Sequence, residues 1–369
     1  MNIDKILKYF YKKIKISLFR IIYPNITNFI RAEQNKKIFI KKISFKKNFI
    51  YRLFSFPNGR LFSNSVHDTA VIFDDKIVRD VSYQYRYKKN VQIINGNIKK
   101  NTVVKNGTPR FLKKIKGNVF SLLCGGAAKN NYWHWIFDVL PKVGILEKSK
   151  IKFKLDFFLL PSLSKNYQKE TFLKLGVPRN KLLNGEKFKH IICDNLLVTD
   201  HPIVFDNNPT KSITNIPLWV IKWLRKKFLE VKPNNSKLSK KIFISRKNDS
   251  LQENRKIVNN EELEKLLTAK GFKIITLSNF SFKKQVEIFK AADFIIGLHG
   301  AGFTNIVFSK PKTKILEIKT KATGEQYASL AKKCKLKYQK IIEKNISPTL
   351  RHQNSHIVVN LSKLKKMIS

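Results

Sequence analysis

Cysteine is almost absent from this sequence: Cys124, Cys193 and Cys334 are three thiols in 369 residues, odd in number and far apart. That spacing argues against a disulfide framework and a zinc site, and is read as reduced, partly buried thiols of a cytoplasmic protein. No apolar run is long and clean enough to span a bilayer or to serve as a signal-peptide core. There is no G-x-x-x-x-G-K-[ST], which excludes a P-loop kinase, and no G-x-S-x-G, which excludes an esterase nucleophile elbow. Internal repeats, low-complexity tracts beyond a lysine bias and any D-x-D triad are also missing. Carboxylates are scarce, with 25 Asp and Glu against 74 Lys and Arg, for a formal charge of +49.

Such a charge taken alone fits nucleic acid or an anionic membrane surface. Nucleic acid is not the expected partner, because the basic residues run the whole length with no RNP-type strand or zinc-finger spacing to focus them. Lys outnumbers Arg several-fold, beside abundant Ile, Asn and Phe, as a compositionally biased genome would write any protein. A membrane surface is the better fit. Residues 3–22, IDKILKYFYKKIKISLFRII, place Ile3, Ile6, Leu7, Phe10, Ile14 and Leu18 at roughly helical spacing, with Lys5, Lys8, Lys12, Lys13 and Lys15 between them. Two readings stay open: a basic amphipathic helix lying in the interface of a peripheral membrane protein, or an ordinary helix packed on its own domain.

The 43% hydrophobic fraction suits a soluble globular chain, and its length suits two domains. Residues 1–54 are expected to form a basic extension, within which 36–54 alternate apolar residues with lysine pairs like a strand or sheet edge. A first α/β domain is expected over 55–215, with strands at TAVIFDD, GNVFSLLC, DFFLLP and IICDNLLVTD and a helix from His134 to Lys148. A second, Rossmann-like domain is expected over 216–345, followed by a basic tail, 346–369. In that domain the strand KIFISR, two amphipathic helices, FIIGLHGAGFTNIVF and the strand KILEI follow the pattern of a doubly wound parallel sheet. Ligands bind beyond the carboxyl ends of such strands, where Arg246 and the His299-Gly300-Ala301-Gly302 turn fall.

Two constellations carry chemistry. In CGGAAKNNYWHWIFDVLPKVGILE, Gly125 and Gly126 follow a strand, Asn130 and Asn131 offer helix caps, and His134 and Asp138 share a helix face. A carboxylate accepting from one ring nitrogen leaves the other as a stronger base. Tyr132, Trp133 and Trp135 offer a flat platform for a sugar ring; the plainer reading makes them core, His134 a core histidine and Asp138 a surface acid. In the second domain, Arg246 and Arg255 are placed to grip a pyrophosphate through charge-assisted hydrogen bonds. The HGAG glycines and the helix after them let backbone amides approach an anion, and a nucleotide diphosphate is the expected ligand. Glu317, at the expected end of the next strand, is placed for the two ribose hydroxyls.

Together NYWHWIFDVLPK, ISR, NRKIVNNEELEKLL, GFKIITL, SFKKQVEIFKAADFIIGLHGAGFTNIVF and ILEI, in that order from about Ala70 to Tyr338, resemble glycosyltransferase family 61. In bacteria this group stands among capsular polysaccharide biosynthesis proteins. The resemblance implies an inverting transferase of GT-B architecture, with two Rossmann-like domains facing a cleft, working without metal or other cofactor. It implies a nucleotide-sugar donor, UDP-linked by analogy, and a glycan or lipid-linked glycan acceptor. The matching residues are His134 and Asp138 on the catalytic side, and Arg246, Arg255, Asn259, Gln285, His299, Gly300, Ala301, Gly302, Asn305 and Glu317 on the donor side. Lys142 stands where relatives usually have Arg, which puts a bidentate role there in doubt, and Leu298 replaces a frequent Pro. A pyruvyl or sialyl transferase of similar fold, and a non-catalytic basic protein that binds membrane or nucleic acid, stay open as alternatives.

Overall fold

The apolar residues and lysine pairs of IFIKKISFKK become a hairpin in the computed structural model, Phe39–Lys46 against Phe49–Pro57. The structure describes residues 3–46, 49–65, 68–88, 91–94, 97–123, 129–152, 154–203, 209–229, 238–246, 255–346 and 355–369. The chain divides into two units, residues 1–212 and 213–369.

The hub of the first unit is the ten-residue strand His190–Thr199. It pairs antiparallel with Phe49–Pro57 and Arg60–Ser65, and parallel with Lys113–Ser121. From there Phe157–Leu160 and Leu182–Asn184 extend a parallel half, while Asp68–Phe73 and Lys76–Val78 extend an antiparallel meander. The sheet has twelve strands among the described residues and is mixed, so the expected Rossmann-like pattern fits only its parallel half. Residues 29–54, expected to lie in an extension, supply strands to this sheet and bury Phe54 against Phe56, Val119 and Leu196. Within Phe39–Lys46, Ile43 is buried while its neighbours Lys42 and Ser44 are exposed, as the change of face from one residue to the next along a strand requires.

The second unit holds a five-stranded, all-parallel sheet in the order Lys273–Thr276, Lys241–Ser245, Phe294–Leu298, Lys314–Thr320, Lys337–Glu343. Numbered along the chain this is 2-1-3-4-5, a doubly wound order whose switch point lies between Lys241–Ser245 and Phe294–Leu298. The helices Asn260–Ala269, Phe282–Ala291 and Gln326–Lys333 and the 3₁₀ segment Ala301–Phe308 make the crossovers. Near the end of the chain, Ile357, Val359, Leu364 and Ile368 join Phe243, Ile296 and Leu316 in one core, so this stretch of the expected tail is part of the unit. Cys193 and Cys334 are buried and free, their thiols pushed up by burial to about 12 and about 11. Cys124, Gly125 and Gly126 lie outside the described residues.

Candidate functional site

In the first unit the chemistry gathers on one helix. Asn131 caps it, its side chain accepting from the Trp133 amide at 3.0 Å. Trp135–Val139 then widens into a π turn before the α-helix Leu140–Ser149. Pro141 accounts for the widening, since it has no N–H to give and its ring would clash with the carbonyl four residues back in a regular helix. Across this turn His134 Nδ1 meets Asp138 Oδ2 at 2.6 Å. The His134 side chain is 34% exposed while Asp138 is buried, so the imidazole keeps a solvent-facing edge. Burial opposes its protonation, but the charge and hydrogen bond of Asp138 outweigh burial and raise its pKa.

Asp138 faces a second histidine that the sequence reading missed. His201 Nε2 lies 3.9 Å from Asp138 Oδ1, and the ring is buried, with Nδ1 against the backbone of Ile203. Burial lowers its pKa to about 4 despite Asp138, with Lys142 adding to the depression, so it is neutral at pH 7. Nothing in the local sequence marks His201, because the strand His190–Thr199 delivers it from far downstream. Lys142 is fully buried and donates a hydrogen bond of 2.9 Å to the Leu122 carbonyl. The expected aromatic platform does not form: Trp135 is completely buried, donating to Thr171 Oγ1, and Trp133 packs on Phe137 with ring centroids 4.5 Å apart.

In the second unit, Arg246 follows the strand Lys241–Ser245, and the HGAG turn follows Phe294–Leu298, on the two strands that flank the switch point. A Cβ placed on Gly300 would sit 3.5 Å from Arg246 Nη1, and one on Gly302 would sit 2.8 Å from a Leu277 methyl. Arg255 reaches the His299 carbonyl at 3.3 Å and has φ of +60°, in the left-handed region that costs a non-glycine residue about 1–3 kcal/mol. Burial, then repulsion from Arg246, lowers the Arg255 pKa; an anion shared by the pair would relieve that repulsion. The 3₁₀ segment Ala301–Phe308 begins at the glycines, and its first amides have no partner within the helix.

The turn is held from within the unit. His299 Nδ1 pairs with Glu317 Oε1, the other Glu317 oxygen accepts from the Tyr338 hydroxyl, and the Gly300 carbonyl accepts from the Tyr327 hydroxyl at 2.6 Å. The Gln326 amide lies 3.2 Å from His299 Nε2. Burial and Glu317 raise the pKa values of Tyr327 and Tyr338, keeping both as neutral donors. Glu317 is not at a strand end as expected: it is fully buried in the middle of Lys314–Thr320, with both oxygens engaged, and so is not open to a ribose. Asn259 bonds both backbone groups of Val359 at 2.9 Å, while Gln285 holds the Leu277 and Phe280 carbonyls and accepts from Asn305 at 2.9 Å. Asn259 thus ties the start of Asn260–Ala269 to Val359, and the Gln285–Asn305 pair ties Phe282–Ala291 to the 3₁₀ segment. Tyr327 and Tyr338 escaped the sequence reading because only the folded sheet brings them to Glu317 and Gly300.

A comparison with curated proteins finds no match. The model of the family described as Glycosyltransferase 61 matches residues 132–316, which take in every candidate residue except Glu317. On that match, spanning half of its length and both constellations, the chain is a glycosyltransferase, acting on a sugar donor and an acceptor, and belongs to glycosyltransferase family 61.

Proposed function

We propose that the protein is an inverting, metal-independent glycosyltransferase of GT-B type that moves a sugar from a UDP-linked donor to a hydroxyl of a cell-surface glycan, such as a capsular polysaccharide or lipopolysaccharide. The observation that carries this reading is the convergence of Arg246, Arg255 and the HGAG turn at the switch point of a 2-1-3-4-5 parallel sheet. As the bond from the anomeric carbon to the phosphate oxygen breaks, negative charge grows on the departing diphosphate. Two guanidinium groups and preorganised backbone amides stabilise that charge, with arginine in the role a metal plays elsewhere. Glu317 acts through His299, holding the turn in shape, and leaves the ribose to other groups.

The acceptor hydroxyl loses its proton as it attacks the anomeric carbon from the face opposite the diphosphate. His134 Nε2 takes that proton, with Asp138 on Nδ1 stabilising the imidazolium that forms. Neutral His201, against the second oxygen of Asp138, positions the carboxylate.

A thermal-shift panel of UDP, GDP, CMP and phosphoenolpyruvate, with and without EDTA, tests the reading. UDP is expected to stabilise the protein whether or not EDTA is present, and Arg246→Ala to weaken that binding roughly tenfold to hundredfold. Stabilisation by phosphoenolpyruvate or CMP instead moves the protein to pyruvyl or sialyl transfer, and a response to none of the four removes the donor site proposed here.

A further inference from the structure

The helix Ile3–Ile22 carries two different apolar faces. Phe19 is buried, its ring 4.9 Å from Phe111, and Ile16 lines a cavity with Phe62 and Pro109. Just beyond the helix, the Tyr23 hydroxyl accepts from the Leu112 amide at 2.9 Å, and Arg20 reaches the Lys105 carbonyl at 2.6 Å. Residues 16, 19 and 23 recur at helical spacing, and this stripe seats the helix on the first unit. A separate stripe is formed by Ile3, Leu7, Phe10, Ile14, Leu18 and Ile21, which fall within about 80° of arc, under a quarter of the circumference, at 3.6 residues per turn. Every one of these six is at least half exposed, from 55% for Leu18 to 85% for Ile21. A contiguous exposed apolar strip of this kind marks an interaction surface.

The charge around the strip selects its partner. Lys5, Lys8, Lys12, Lys13 and Lys15 occupy the rest of the helix, and in the cleft beside Lys15 the basic Arg110, Lys113, Lys187 and Lys189 outnumber one acid, Glu186. Among the described residues no helix is long and apolar enough to cross a membrane, so the helix lies on a surface instead of spanning it. A second copy of this chain would bring lysine against lysine on a molecule of formal charge +49. We infer that this strip docks the protein on a bilayer of anionic phospholipid, with Leu7, Phe10 and Ile14 among the acyl chains and the lysines and neighbouring basic cleft among the headgroup phosphates.

The test is co-sedimentation of the full chain with phosphatidylcholine vesicles and with vesicles about a third phosphatidylglycerol. Binding is expected to the anionic vesicles, at least tenfold tighter than to the neutral ones, and to fall tenfold or more in the triple variant Ile3→Asp, Leu7→Asp, Phe10→Asp. The melting temperature of that variant is expected to stay unchanged, because the three side chains point away from the stripe that packs. Equal binding by the triple variant would mean adsorption by charge alone, and binding to neither vesicle would remove the membrane; either overturns the inference. So does self-association without lipid, seen by light scattering and abolished in the same variant, which would make the strip a protein interface.

Discussion

His134 keeps one ring nitrogen for chemistry because Asp138 occupies the other. Removing the ring in His134→Ala is expected to leave the fold intact, since the side chain is a third exposed, and to lower kcat by about 10²- to 10⁴-fold. Turnover near that of the wild type in a folded variant would overturn the assignment of the base. The pH profile separates a base from a merely structural histidine. Asp138 raises the His134 pKa, so the neutral form that accepts a proton is lost as pH falls through a value above the ordinary 6.5. Activity with saturating donor is therefore expected to rise with pH through that value. In Asp138→Asn the Coulombic attraction is gone and burial remains, so the midpoint is expected to move downward while kcat drops. An unmoved midpoint would show that another group titrates. This pair was legible from the sequence because both partners sit on one helix; His201 was not, because its approach to Asp138 is made by a strand whose position no local spacing reveals.

At the scale of elements, the strand Phe294–Leu298 is the one that cannot change size. It lies between Lys241–Ser245 and Lys314–Thr320, buried along its length, and it delivers the HGAG turn. Gly297 lets the 3₁₀ segment close over it: a Cβ there would come within 2.9 Å of the Phe303 ring and 3.0 Å of Ile244 Cβ. Neither neighbour is a free side-chain end, so Gly297→Ala is expected to cost about 1–3 kcal/mol in chemical denaturation and to weaken nucleotide binding by displacing the turn. A variant as stable as the wild type would show that the packing there has slack. Unbroken apolar runs between turn residues made the parallel strands of this unit readable in advance. Two features of the elements were not. The π turn at Trp135–Val139 answers to one proline, and an i, i+4 pattern does not register it. The antiparallel half of the first sheet follows from which strands pair, and alternation within one strand does not name its partner. The same limit displaced Glu317 from an expected strand end to a strand middle, where its carboxylate serves His299 and Tyr338.

At the scale of the molecule, two histidines held neutral make the first unit sensitive to acid. His190 accepts from Arg60 Nε on one nitrogen at 2.7 Å and meets the Arg110 carbonyl with the other at 2.6 Å, so a second ring proton would point at a guanidinium. Burial, reinforced by Arg60, lowers its pKa to about 4, and burial lowers that of His201 to about 4. In the unfolded chain both titrate near 6.5, so between about 6.5 and about 4 the unfolded state takes up protons that the folded state refuses. Folded pKa values below the unfolded ones mean that the contribution to stability is present above pH 6.5 and lost as pH falls. On the order of 1–2 kcal/mol per histidine is expected to go between pH 7.5 and pH 5. His134, with a raised pKa, works in the opposite sense, but its exposed edge lets solvent screen the effect. The window matters, because most carboxylates stay ionised at pH 5 and the repulsion within a chain already at +49 is little changed there. Urea denaturation at pH 7.5, 6 and 5 is therefore expected to show the midpoint falling with pH. His190→Gln is expected to be less stable at pH 7.5 and to show roughly half the slope, since it removes one of the two protons at issue. A midpoint that holds from pH 7.5 to pH 5 in the wild type would mean that both histidines are charged in the folded protein, and would withdraw from His201 the neutral, positioning role assigned to it beside Asp138.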